Sequence, residues 1–224
     1  MDIENDFGLD YDFELDPLDD DDASYHDRGK RPEQPMRASS YRGTPAIRAK
    51  RYSSERQIEE TCGFEIADGE SLHVISQGDI DSLTFLRWII RQQRLDYCLI
   101  SSWCIGADDC DEILGWIKSG RIGKCDIYVG EIFKGTYRLI WDRLCEEFQK
   151  LKCGRICLFR NHAKVMAGIG AWPFVIESSA NINTNPRSEN TVITRDDGLY
   201  QFYKDFYDKI ISFEKNFQDW KPWR

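Results

Sequence analysis

Histidine is scarce in this chain, with three in 224 residues, so any imidazole chemistry falls on His26, His73 or His162. No apolar run reaches the ~18 residues of a membrane-spanning helix. The opening MDIENDFGLDYDF has neither the basic start nor the apolar stretch of an export signal. A cytoplasmic setting with reduced thiols is therefore expected. The eight cysteines form neither a disulfide frame nor a zinc site. Cys104 and Cys110 are six apart, Cys153 and Cys157 four apart, and no second pair completes either. Most lie in apolar runs, as Cys98, Cys125 and Cys157 do, where a free thiol is buried and inert. There is no internal repeat. No grouping of Asp, Glu and His argues for a metal, and no cofactor is expected.

Basic residues are missing from the first 22 positions, which carry Asp2, Glu4, Asp6, Asp10, Asp12, Glu14, Asp16 and the run Asp19 to Asp22. The sign then reverses. Eight basic residues from Arg28 to Arg51 face one acid, Glu33, and Pro32, Pro35 and Pro45 break any period. Blocks of like charge with few apolar residues cannot offset chain entropy by burial. Residues 1–56 are therefore expected to be a disordered tail. Its role is either to solubilise or to serve as an arm for a partner or nucleic acid, the acidic block folding back on the basic one.

From residue 57 the pattern is regular, and 57–224 is expected to form one domain. SLHVIS (71–76), LDYCLISSWCI (95–105), KCDIYVGEI (124–132), RICLFRN (155–161) and PFVIESS (173–179) are rich in β-branched and aromatic residues, as strands are. Between them, Leu83, Leu86 and Ile90 fall at helical spacing behind Asp79 or Asp81 as a cap. Ile113 and Ile117 define a second helix with Gly120 as its stop. Ile140, Leu144, Phe148 and Leu151 define a third. A last helix is expected over 197–217, with Leu199, Phe202, Phe206, Ile210 and Phe213 facing inward. Alternation of strand and helix, with short apolar strands, predicts an α/β fold whose mixed, largely parallel sheet is flanked by helices.

Chemistry concentrates in NHAKVMAGIGAWPFVIESSANINTNPRSEN, 161–190. In an extended segment, positions i and i+2 share a face, so His162 and Lys164 aim an imidazole and an ammonium at one spot. A second strand ends in SSAN, followed by a loop with Asn185, Arg187, Glu189 and Asn190. Polar residues just past strand ends mark the usual place for a site in an α/β sheet. Lys164, Ser179 and Asn181 supply charge and donors for phosphate oxygens. Glu189 is placed to accept from one ring nitrogen of His162 and leave the other free to attack. Asn185 and Arg187 are further candidate phosphate donors.

These residues resemble the phospholipase D superfamily of phosphodiesterases, which includes small nucleases. Its motif is His-x-Lys, then an Asp, then Gly-Ser or Gly-Gly, x, Asn. His162 and Lys164 match the first part, and Ser179 and Asn181 the second. The resemblance implies that His162 is a nucleophile forming a phosphohistidine, that Lys164 and Asn181 hold the phosphate, and that Glu189 orients the imidazole. The order of elements from 64 to 214 looks like one half of such an enzyme. The motif Asp falls at Ile169, and the first Gly of the second element at Ser178.

Expulsion of an alkoxide needs a proton donor, a contribution of ~10²–10⁴ in rate. No second His-x-Lys is present. A homodimer in which two His162 side chains meet across a two-fold axis answers this need, as in single-motif members of the family. Net charge is −9, and residues 57–224 hold 21 basic and 25 acidic residues. That charge disfavours tight non-specific nucleic-acid binding unless the basic stretch contributes. A nuclease-like phosphodiesterase is the expected activity. An inactive phospholipase D-like module binding nucleic acid or a protein is the alternative, and a lipid phosphodiesterase the third reading.

Overall fold

The computed structural model of the chain describes residues 56–60, 63, 65–77, 80–183 and 187–224. The expected acidic-then-basic tail lies, up to residue 55, outside the described residues, as do Asn185 and Asp79. A helical stretch over 56–60 comes first. It is followed by β1 (Ser71–Ser76), α1 (Ser82–Gln92), β2 (Leu95–Ser102), α2 (Ala107–Lys118), β3 (Ile122–Gly130), α3 (Phe133–Thr136) and α4 (Arg138–Leu151). The remaining elements are β4 (Ile156–Phe159), β5 (Val165–Ile169), β6 (Pro173–Ser178), β7 (Glu189–Thr194) and α5 (Asp197–Asp208). No described helix is long and apolar enough to cross a membrane.

The seven strands form one sheet in the order β1-β7-β6-β5-β2-β3-β4. The α/β class stands, and the sheet is mixed, but its parallel share is smaller than expected. Among the described strands, only β2–β3 and β3–β4 run parallel. The pairs β1–β7, β2–β5, β5–β6 and β6–β7 are antiparallel. Connection length is the cause. β2 to β3 and β3 to β4 each have room for a helix that carries the chain back, whereas 170–172 joins β5 to β6 in a turn too short for a crossover. β5 and β7 fall in stretches without an obvious strand pattern, and they supply the antiparallel half.

Alternating residues pack the two faces. Cys98 and Ile100 of β2 join Leu86, Ile113, Leu144 and Phe148 from α1, α2 and α4. Tyr97 and Leu99 join Tyr128, Tyr200 and Tyr207 on the face covered by α5. Asp81 caps α1 by accepting from Leu83 N at 3.1 Å, and Gly120, at φ +74°, follows α2 where a left-handed residue is needed. Gly154 allows the chain to cross β3 closely, since a Cβ there would stand 1.7 Å from the Cys125 carbonyl oxygen.

The last helix departs from expectation. It ends at Asp208 rather than near 217. Its buried face is Tyr200, Lys204 and Tyr207, while Phe202, Phe206 and Phe213 are 64%, 53% and 59% exposed. Tyr207 and Lys204 hold these places with polar ends that find partners inside, Ser101 and Asp208, whereas the buried Tyr200 hydroxyl has none among the described residues. Lys204 Nζ lies 2.5 Å from Asp208 Oδ2 and 5.1 Å above the Tyr97 ring. All seven described cysteines are free and buried, and burial pushes the Cys145 and Cys153 thiols up to about 11.

Candidate functional site

Register brings the strand ends beside His162, Lys164, Ser179, Asn181 and Glu189 to one edge of the sheet. Ser101 of β2 pairs with Val165 of β5, Val165 with Glu177 of β6, Ser178 with Thr191 of β7, and Ser76 of β1 with Glu189. At this edge β1, β2, β3, β4 and β6 end while β5 and β7 begin. The chain leaves β4 at one side of the sheet and enters β5 beyond β3 and β2, so 160–164 passes over the ends of those two strands. His162 sits on that bridge.

Asn161 fixes the bridge. It is 4% exposed. Its Nδ2 donates to Tyr128 O at 3.1 Å, Ser101 Oγ at 3.0 Å and, more weakly, Ser102 O at 3.3 Å. Its Oδ1 accepts from Ala163 N at 3.0 Å. One amide thus ties β2 and β3 to the residue after His162, and holds the imidazole out from the sheet. Packing of Trp103 adds a side wall, its ring 6.2 Å from the imidazole and tilted by 55°. Gly130 makes room for that indole, because a Cβ there would lie 2.5 Å from Trp103 Cδ1.

His162 is exposed and Lys164 half-buried. Lys164 Nζ lies 3.0 Å from His162 Nδ1 and 3.3 Å from Nε2, and donates to the His162 carbonyl at 2.9 Å. The ammonium is thus set against the imidazole, and which ring nitrogen accepts from it depends on the tautomer. The expected convergence of imidazole and ammonium is therefore present in the geometry.

The second half of the site lies on the neighbouring strand end. Ser178 N donates to Lys164 O at 3.0 Å, which sets the end of β6 beside Lys164. Ser178, where the resembling motif has Gly, uses its hydroxyl in the turn: it accepts from Ala180 N at 3.1 Å and pairs with Thr191 Oγ1 at 2.9 Å. Ser179 is exposed, accepts from Asn190 N at 3.1 Å, and donates to the Glu189 carboxylate in a short bond. Glu189 thus stands at the same edge, with Ser179 as a partner. Asn181 is buried at 9% exposure and held mainly through its backbone. Its carbonyl accepts from Ser82 Oγ at 2.9 Å and Asn183 N at 2.9 Å. Ser102 Oγ donates to Cys104 O at 2.6 Å, accepts from Ile182 N at 3.1 Å, and makes a weak 3.4 Å contact to Asn181 Oδ1. Arg187 is exposed in the loop before β7.

Sequence reasoning missed Asn161, Ser101, Ser102 and Trp103. Two signals were on view: a side-chain amide directly before His162, and the Ser-Ser-Trp run closing a strand. The serines face opposite sides of the sheet, Ser101 toward Asn161 and Ser102 toward Asn181. One strand end therefore supports both halves of the site.

No family model matches the chain, and no curated protein matches it. Among solved structures, polyphosphate kinase from Porphyromonas gingivalis is similar with a TM-score of 0.47 and 12% identity, over 61% of this chain and 25% of that one. Phosphatidylserine synthase from Haemophilus influenzae Rd KW20 is similar with a TM-score of 0.48 and 12% identity, over 67% of this chain and 41% of that one. The chain thus spans from a quarter to about two-fifths of these proteins. At such identity and extent, neither likeness carries the chemistry of its namesake to this chain.

Proposed function

We propose that the chain is a metal-independent phosphodiesterase, nuclease-like, acting in the cytoplasm through a phosphohistidine in a site shared by a homodimer. The observation that carries this reading is the ammonium of Lys164 set against the ring of an exposed His162, with Ser179, Asn181 and Glu189 on the adjoining strand ends. A phosphate entering the site takes the hydrogens of Lys164 and of the Asn181 amide, and the lone pair of His162 is released toward phosphorus. Attack forms an N–P bond and breaks a P–O bond, and the departing alkoxide takes a proton from the imidazolium of His162 in the second subunit. Water then attacks phosphorus, the N–P bond breaks, and the second imidazole recovers its proton from that water. Arg187 adds donors to the phosphate oxygens, Asn185 joins it from the same loop, and Ser179 turns its hydroxyl hydrogen from Glu189 to the phosphate when substrate enters.

Trp103 favours nucleic acid over lipid as substrate. A base flanking the phosphate can stack on an indole beside the nucleophile, a gain of roughly 1–3 kcal/mol per base. The basic stretch at 28–51 supplies attraction that the acidic remainder lacks. A second reading, a phosphate-binding module without turnover, draws on Ile169, which stands where the resembling motif has Asp. Ile169 lies five residues along β5 from Lys164, roughly 17 Å at strand rise. It packs against the tyrosine face of the sheet, far from the His–Lys pair.

The test is hydrolysis of methyl 4-nitrophenyl phosphate in excess EDTA, with sedimentation equilibrium on the same samples. Dimeric wild type should turn over, and dimeric, folded His162→Ala should not. Equal rates in the two proteins would sink the nucleophile, and no turnover by folded dimer would leave the binding module.

A further inference from the structure

We infer a second binding site at the opposite edge of the sheet, for a free nucleotide: a planar base joined to phosphates. A cavity of about 720 Å³ lies there between the starts of β2 and β3, the turn at 152–154 and the segment 217–224. Its size falls within the roughly 300–1,000 Å³ of small-molecule sites. It contains none of the residues placed around His162.

Charge defines one half of its chemistry. Lys124, Lys152, Lys221 and Arg224 line the cavity, against the acids Asp126 and Asp219. Asp126 does not act as an exposed acid would. It is 1% exposed, and its carboxylate accepts from Tyr97 Oη, Arg155 N and Trp220 Nε1, each at 2.9 Å. Four cations therefore face one solvated carboxylate, on a chain whose net charge is −9. A local reversal of sign in a concave, low-dielectric wall draws anions. Lys124 Nζ donates one hydrogen to Lys152 O at 2.7 Å and has two more to give.

Aromatic rings define the other half. Trp223 lies nearly parallel to Tyr97, with centroids 5.2 Å apart and 10° between planes. Tyr97 is 1% exposed, covered by Trp223 and approached by Lys204, so the ring left to a flat guest is that of the half-buried Trp223 itself. Trp220 is anchored behind them, its face 3.6 Å from the Arg155 guanidinium carbon and its N–H on Asp126. That anchoring, with the Trp223–Tyr97 stack, holds the segment 217–224 over the cavity. A bare polyphosphate would use the cations alone and a nucleoside the rings alone; a nucleotide uses both.

Isothermal titration calorimetry of the full chain in EDTA, with ATP, adenosine and inorganic tripolyphosphate as separate titrants, decides this. ATP should bind more tightly than either of its parts. The double variant Lys124→Glu/Lys221→Glu, reversing two exposed charges, should bind ATP at least about tenfold more weakly while its thermal melt stays cooperative, showing folded protein. Trp223→Ala should weaken ATP and leave tripolyphosphate as it is, while His162→Ala should bind ATP like wild type. Any of three results overturns the site: no heat with ATP from folded protein, ATP affinity unmoved by the charge reversals, or ATP binding lost with His162→Ala. Tripolyphosphate binding as tightly as ATP overturns the base-binding half.

Discussion

Asn161 joins a carbonyl from β3, a hydroxyl and a carbonyl from β2, and the backbone of the His162 bridge. Replacement by alanine removes the donors and leaves buried acceptors unpaired, which costs about 2–3 kcal/mol. Asn161→Ala should therefore lower the urea midpoint. Turnover of the aryl diester should fall further than the loss of folded protein explains, with KM little changed, because the imidazole loses its fixed position. A fall in stability with full turnover in the remaining folded protein would reduce Asn161 to a purely structural residue. The His–Lys spacing was legible in the sequence because a two-residue offset needs only local geometry to bring side chains together. The Asn161 role was not, because its partners are 33, 60 and 59 positions away.

At the level of elements, local signals and tertiary demands separate cleanly. α1 and α2 follow their sequence pattern, with Leu83, Leu86, Ile90, Ile113 and Ile117 all buried. α5 does not, because the sheet face beneath it is built from tyrosines and rewards polar partners within reach, which periodicity of apolar residues does not report. β5, with Gly168 inside it, and β7, led by Glu189 and Asn190, become strands because neighbours on both sides complete their ladders. Close passage of the chain between α4 and β4 makes Gly154 the most demanding turn position. Gly154→Ala should destabilise by about 3 kcal/mol or more, since the clash is with backbone and cannot be relieved by a rotamer change. A thermal melt within a degree of wild type would show that the passage is looser than this.

Across the whole molecule, the two sheet edges carry different groups: one gathers His162, Lys164, Ser179, Asn181 and Glu189, the other Asp126 and the aromatics of 217–224. Burial pushes the Asp126 carboxyl above its ordinary 3.8, against opposing hydrogen bonds from Tyr97, Arg155 and Trp220. A raised carboxyl binds its proton more tightly when folded than when unfolded. Its contribution to stability therefore falls as pH rises from 3.8 to the raised value, and the full cost stays above it. The Tm of wild type minus that of Asp126→Asn should accordingly rise as pH is lowered from neutral toward 4. A difference that is flat with pH would place the carboxyl at its ordinary value. By itself the sequence determined the α/β class, the buried faces of α1 and α2, and the His162–Lys164 pair, all set by contacts within a few residues along the chain. Only the tertiary structure decided the antiparallel half of the sheet, the orientation of α5, the Asn161 clamp and the cavity under 217–224. Each of these depends on pairings between distant segments, where hydrogen-bond satisfaction and close packing, rather than local propensity, select the arrangement.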